Sequence, residues 1–302
     1  MNNTKNESAK TNPSKKKIMY FLMVIMVLSW GLEYAFAKQA LEAFEPITLL
    51  FFKYFIGLII LLFIKLKMEG RKFIKKKDIP MFLLCALFGE VGYFYAEYKA
   101  MSFLPVSIIT IVLAFVPIVS LLIDRVIYKR KVTKKTVGGV LFCVVGIGLI
   151  IGVDLDVIFE GRIFGYILAF SAVIFWNVYN FITASLHERY GSVTLSFNQI
   201  VCALLLIWPY ALTHLPEWDY VTPGIIWSIL YLGLVSTAVG FVIVVKALHI
   251  LGPTVTSMFS NFMPVTSTVF GWLLLKETIQ PLQMLGGVIV ITAGYFVIKD
   301  RS

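Results

Sequence analysis

Apolar residues along this chain fall into long runs separated by short polar segments. A helix needs about 20 predominantly apolar residues to cross a bilayer core. Ten runs approach that length, at 17–42, 46–66, 79–102, 105–127, 135–152, 162–186, 193–213, 222–248, 253–275 and 280–298. The pattern predicts an all-α integral membrane protein of ten transmembrane helices. Residues 1–17 form a polar tail rich in Lys and Asn, expected to lie outside the bilayer.

The pattern also repeats. Lys99 to Pro117 reads KAMSFLPVSIITIVLAFVP, and Lys246 to Pro264 reads KALHILGPTVTSMFSNFMP, 147 positions later. Trp30 and Trp176 correspond at an offset of 146, as do Thr48-Leu49 and Thr194-Leu195. Gly138-Gly139-Val140 with Gly146 corresponds to Gly286-Gly287-Val288 with Gly294 at 148. The chain therefore divides into two five-helix halves, 18–151 and 162–299. An odd number of crossings turns the second half upside down relative to the first, the inverted-repeat plan of many secondary transporters. Pro117 and Pro264 fall inside their apolar runs and are expected to kink them as a matched pair of hinges, although proline is common in membrane helices for other reasons. Pro105 and Pro253 are placed to start helices.

Composition supports the hydropathy. The chain is 59% hydrophobic and 15% charged, against about 45–50% and 25% for a soluble domain. The net charge of +10 does not indicate nucleic acid, because the basic residues cluster between the runs. With the N-terminus inside, the tail, the second-to-third and fourth-to-fifth connections, Arg189, Lys299 and Arg301 put nearly all loop cations on one side. The opposite loops hold only Arg162 and Lys276 and lean acidic, with Glu42, Glu45, Asp154, Asp156, Glu160, Glu217 and Asp219. The positive-inside rule then predicts an inner-membrane protein with both termini cytoplasmic. Cys85, Cys143 and Cys202 lie within apolar runs and read as small hydrophobes.

Trp30-Gly31 with Ala37-Lys38, the two Lys-Ala turns with their proline helices, Lys276-Glu277 and the two Gly-Gly-Val helices occur in order and in duplicate. In these features the chain resembles the drug/metabolite transporter superfamily, specifically its EamA-type members. The resemblance implies ten helices and export or import of small metabolites, often amino acids or amines. Lys53 stands where such proteins often carry arginine.

Ionisable groups within the bilayer are expensive and mark candidate sites. Glu90 falls near mid-membrane on the third helix, with Tyr93 and Glu97 on the same α-helical face. Trp30, Glu33 and Tyr34 share a face of the first helix, and Lys53 lies on the second. Glu33, Lys53 and Glu90 must face protein or water. Two readings stay open for them: a buried network in which Lys53 bridges two carboxylates, or groups that meet substrate or carry a proton. In the second half the matching wall is neutral, with Trp176, Asn177, Asn180, Asn198, Gln199, Ser257 and Asn261 serving as pocket lining or as interhelical hydrogen-bonding glue. Lys99 and Lys246, near helix ends, are expected to reach toward headgroups.

No nucleophile, phosphate-loop or metal-ligand motif appears, so no catalytic residue, metal or cofactor is expected. The expected partners are a small-molecule substrate, protons or another coupling ion, membrane lipids and, compatibly, a second copy as a homodimer. The expected function is secondary transport, most naturally efflux, of an amino acid or organic amine by alternating access. A non-transporting receptor or scaffold, or a carrier of sugar derivatives or drugs, are the alternatives.

Overall fold

The computed structural model describes residues 13–71, 74–104, 106–113, 115–127, 129, 133–151, 163–275 and 281–301, and every regular element among them is helical. In chain order these are α1 (Pro13–Ala40), α2 (Pro46–Met68), α3 (Lys76–Ala100), α4 (Val106–Leu113), α5 (Val116–Val126) and α6 (Lys134–Ile151). The second half contributes α7 (Ile163–Leu186), α8 (Ser192–Thr213), α9 (Pro223–Leu251), α10 (Pro253–Met258), α11 (Met263–Leu275) and α12 (Pro281–Arg301). Six of these, α1, α2, α3, α7, α8 and α9, are long and apolar enough to span a bilayer unbroken. The remaining crossings are α4 with α5, α6, α10 with α11, and α12. Large apolar side chains such as Phe21, Phe63, Leu141, Leu205 and Trp227 cover the outer surface, which suits hydrocarbon as solvent and would be a liability in water.

The fourth and ninth crossings depart from the expected continuous helices. Helix α4 stops at Leu113, the Phe115 N–H closes a tight turn on the Val112 carbonyl at 3.0 Å, and α5 restarts at Val116. Pro117 therefore sits in the first turn of α5, where an N–H has no intrahelical partner to lose. Pro264 takes the same second position in α11, behind a 3-10 turn at Phe259–Phe262. Both prolines begin helices rather than kink them from within.

The contacts fix the orientation of the halves. Helix α1 begins at the end that gathers Lys15–17, Lys65, Lys67, Lys75–77, Lys134, Lys135 and Arg189, here the basic end, and finishes near Glu42 and Glu45, the acidic end. Helix α7, its counterpart, begins at the acidic end, where Gly165 packs on Phe103 and Leu104 just after α3. Equivalent helices thus run in opposite directions. The fifth helices of the two halves, α6 and α12, lie antiparallel side by side, with Cys143 beside Val290 and Gly139 beside Val297. A Cβ on Gly146 would stand 2.7 Å from Ile289 Cγ2 and 2.9 Å from the Gly286 carbonyl, so the close crossing requires glycine there.

Each end is bridged by contacts between halves, and at the acidic end these border an open pocket of about 460 Å³ among Glu42, Glu45, His214 and Glu217. At the basic end the Glu69 carboxylate accepts from the N–H groups of Val193 (3.1 Å) and Thr194 (2.9 Å) at the start of α8, complementing that helix's positive terminus. Arg189 pairs with Asp78, and the Tyr190 hydroxyl donates to the same carboxylate at 2.6 Å. At the acidic end the Thr48 hydroxyl donates to the His214 carbonyl (2.8 Å) and Tyr210 to Glu45 (2.8 Å), while Phe44, Phe52 and Trp218 pack edge to face. Thr48 and Thr194 are the matched threonines of the repeat, so the two seals are related by it.

The third crossings carry an irregularity that the sequence did not reveal. Helix α3 widens to a π-helix over Ala86–Tyr93, and α9 does so over Leu232–Gly240. These positions correspond in the repeat. Paired π segments are unusual, and such segments often mark functional sites.

Two measurements test this packing. Gly146→Leu should overpack the α6–α12 crossing by about 1–3 kcal/mol and lower the melting temperature of the solubilised protein; an unchanged melting temperature would contradict the crossing. At the basic end, His187 donates from Nε2 to the Val245 carbonyl at 2.5 Å, and its ring lies 4.9 Å from that of His249. Burial pushes its pKa down from 6.5 to about 4. Between those values the unfolded chain binds the proton that the folded chain refuses, so stability rises with pH there. The stability attributable to neutral His187 is present above pH 6.5 and fades as pH falls toward 4. His187→Gln should flatten that part of a stability–pH curve.

Candidate functional site

The interior of the first half is built around a lysine with no exposure. Lys53, on α2, donates from Nζ to Glu33 Oε1 at 2.6 Å and to the Tyr98 hydroxyl at 3.1 Å. Tyr98 in turn donates to the same Glu33 oxygen at 3.1 Å, closing a triangle. The ammonium also lies 3.8 Å from the centroid of the Phe94 ring, a cation–π contact strengthened by exclusion of water. A lysine stripped of water would be costly without such partners.

Beside this triangle, Glu97 Oε1 accepts from two phenols, Tyr34 at 2.7 Å and Tyr93 at 2.8 Å. Tyr93 and Glu97 sit one turn apart on α3, and Tyr34 arrives from α1 directly after Glu33. The α1 face read from spacing is therefore assembled as expected, because α1 is regular throughout. Trp30, Glu33, Tyr34, Tyr93 and Glu97 line a single cavity with Phe94, Tyr98 and Met263. A second cavity, sharing Trp30 and Met263, is walled by Met23, Val27, Trp176, Val244 and Phe259. The two therefore lie where α1 and α3 meet α7, α9 and α11 of the other half. Each encloses about 10 Å³, room for about one water. Trp30 and Trp176, the matched tryptophans, meet edge to face at 5.7 Å, and Tyr93 lies 4.7 Å from Trp176.

The other expected residues go elsewhere. Lys53 does not bridge two carboxylates: among the described residues its ion pair is with Glu33. Glu90 joins neither group. The π segment alters the register of α3, so Glu90 is not brought onto the Tyr93–Glu97 cluster as a regular helix would bring it. Its carboxyl is fully buried and neither oxygen has a hydrogen-bond partner. Asn177 donates to the Val116 and Val173 carbonyls at 3.1 and 2.9 Å, supporting the restart of α5. Both polar atoms of the Asn180 side chain are buried and unpartnered. Gln199 bonds Tyr179 and Thr183 away from the cavities, and Asn198 donates back to the Thr194 carbonyl. The side chains of Ser257, Asn261 and Pro264 lie outside the described residues.

Sequence reasoning missed Tyr98, Phe94 and Met263. Tyr98 follows Glu97 directly and lines the same cavity, but it bonds Lys53 and Glu33 while Glu97 bonds the two phenols. The available signal was the density of aromatics in Tyr93-Phe94-Tyr95 and Tyr98 beside two carboxylates in an apolar run. Among the described residues, no three His, Cys, Asp or Glu side chains gather as a metal site.

Comparison with known proteins agrees with this architecture. A solved crystal structure superimposes with a TM-score of 0.77 over 92% of this chain and 97% of that chain, at 15% identity, a likeness of fold. The uncharacterized transporter YoaV of Bacillus subtilis is 23% identical over 91% of this chain and 94% of its own length. An uncharacterized transporter of Archaeoglobus fulgidus is 23% identical over 93% and 99%. A protein of Salmonella typhimurium named as a probable amino-acid metabolite efflux pump is 21% identical over 91% and 93%. The family model of EamA-like transporters matches twice, at residues 17–152 and 163–299, once for each half. The chain belongs to the EamA-like transporter family.

Proposed function

We propose that this transporter is a secondary carrier of a small polar metabolite, an amino acid or an organic amine, and that it works in export by alternating access. The observation that carries the reading is the small aromatic cavity between the halves, lined by Glu33 and Glu97, with Lys53 behind Glu33. A substrate ammonium would sit at Glu97 against the faces of Trp30, Tyr93 and Trp176, where a cation gains from both charge and ring quadrupoles. An amino-acid carboxylate would meet Lys53, displacing Glu33 or Tyr98. A metabolite needs a pocket far larger than about 10 Å³, so this cavity must widen before it can load. Loading requires one inter-half seal to part while the other holds.

Export is supported by the efflux name of the Salmonella relative. The basic end is assigned to the cytoplasm by the positive-inside rule, and the protein to the cytoplasmic membrane. With no nucleotide-binding motif in the sequence, the driving force is assigned to an ion gradient, protons or another coupling ion, or to the substrate's own gradient.

The test is uptake and efflux of radiolabelled amino acids and amines by the full chain in proteoliposomes. Saturable movement of one class is expected; none for any of them would overturn the reading. Lys53→Ala should strand Glu33 and destabilise the fold by about 3–5 kcal/mol. The paired change Lys53→Met with Glu33→Gln removes both charges. It should restore most of that stability while transport stays impaired. Transport restored together with stability would make the pair structural alone.

A further inference from the structure

Glu90 is the one acidic side chain in the described interior with no partner on either oxygen. Its surroundings explain why. On α2, the Lys53 ammonium is committed to Glu33, Tyr98 and the Phe94 ring. Tyr54, also on α2, donates its hydroxyl to the backbone carbonyl of Glu90 at 2.5 Å, not to its carboxyl. Tyr179 of α7, Cys85 of α3 itself and, at longer range, the engaged Lys53 are near enough to interact with it electrostatically, but none is hydrogen-bonded to it. Helix α8 presents Gln199, which is neutral, and Cys202 beside Cys85. No free cation and no donor reaches the carboxyl from these elements. An ionised carboxylate with neither costs far more in an apolar interior than the neutral acid does.

The position is also set apart by the fold. Glu90 lies in the π segment of α3, and Gly89 beside it lies flat against the Tyr179 ring, where a Cβ would intrude. The matching π segment of α9 carries Thr237 at the corresponding place, its hydroxyl likewise buried and unpartnered. Only one of the two related positions bears an acid.

A file of polar groups leads from this neighbourhood toward the basic end. The Tyr179 hydroxyl donates to Gln199 Oε1 at 3.4 Å, Gln199 Nε2 donates to Thr183 Oγ1 at 2.8 Å, and Thr183 Oγ1 lies 3.6 Å from Cys85 Sγ. Thr183 is in the last turn of α7, and His187 follows four residues on, half-buried at the basic end.

We propose that Glu90 is a proton-binding site, distinct from the Glu33–Lys53 and Glu97 site, that exchanges its proton with water entering from the basic end past the polar side chains of Thr183, Gln199 and Tyr179. The step is a single protonation: the carboxylate takes one proton from a hydronium ion on that approach, leaving water and the neutral acid, and returns it to water by the same way. No other bond changes. Its use as the coupling ion rests on the transport reading; its existence does not.

The experiment is infrared spectroscopy of the purified full chain in lipid, without substrate. A protonated-carboxyl stretch should persist at neutral pH, disappear in Glu90→Gln and move in Glu90→Asp. Thr183→Val should keep the band and slow its exchange with deuterated water several-fold. A spectrum unchanged by Glu90→Gln would overturn the site, and exchange at the wild-type rate in Thr183→Val would overturn the route. Absence of solute movement in proteoliposomes would defeat the transport reading while leaving these spectra as they are, so the two failures are distinguishable.

Discussion

An ammonium group held away from all water governs the middle of this molecule. Lys53 is tolerable at the centre of an apolar bundle only because a carboxylate, a phenol and an aromatic face surround it. Those partners come from α1 and α3. Meeting that need draws three helices of the first half together at one depth. The approach that satisfies Lys53 also brings Tyr34 within reach of Glu97. The second carboxylate is then held by two phenols, with no second cation. The site is consequently rich in acid and in aromatic surface, the basis of the proposal that its solute carries a positive group.

The inverted repeat supplies what the proposed mechanism needs beyond the site. Related loops seal opposite ends, and each seal joins one half to the other. Such an arrangement has two alternative ways of opening that differ by which end parts. The cavities sit between helices of both halves, so a relative tilt of the halves changes their volume at once. The broken fourth and ninth crossings fit this plan, since a helix that has already ended can reorient without the loss of an internal hydrogen bond.

Much of this was legible in the sequence, and the exceptions have physical causes. Hydropathy and the repeat were sufficient for the spans, the halves and the inversion, because a bilayer allows few solutions. The α1 cluster followed from its spacing because α1 is a regular helix. Glu90 was misplaced because residue spacing was converted to a face with the α period, and π turns do not obey it. Pro117 and Pro264 were read as interior kinks because the runs around them are apolar without a gap. Nothing in hydrophobicity alone marks where a buried helix stops and restarts. Tyr98 escaped because its role depends on Lys53 and Glu33 from other helices, which its own spacing on α3 does not reveal. Asn177 and Gln199 show the converse: polar residues on an apolar face, they are engaged by carbonyls and hydroxyls of the scaffold.

The pairing of α6 with α12 has a wider implication. These helices are the closing members of their respective halves, packed together through glycine at a distance from the ionisable interior. They hold the two halves to each other regardless of the linker that joins them in sequence. Two separately encoded five-helix chains, inserted in opposite senses, would possess in this crossing the contact they need to recognise each other, and a gene fusion would be a sufficient origin for the present molecule.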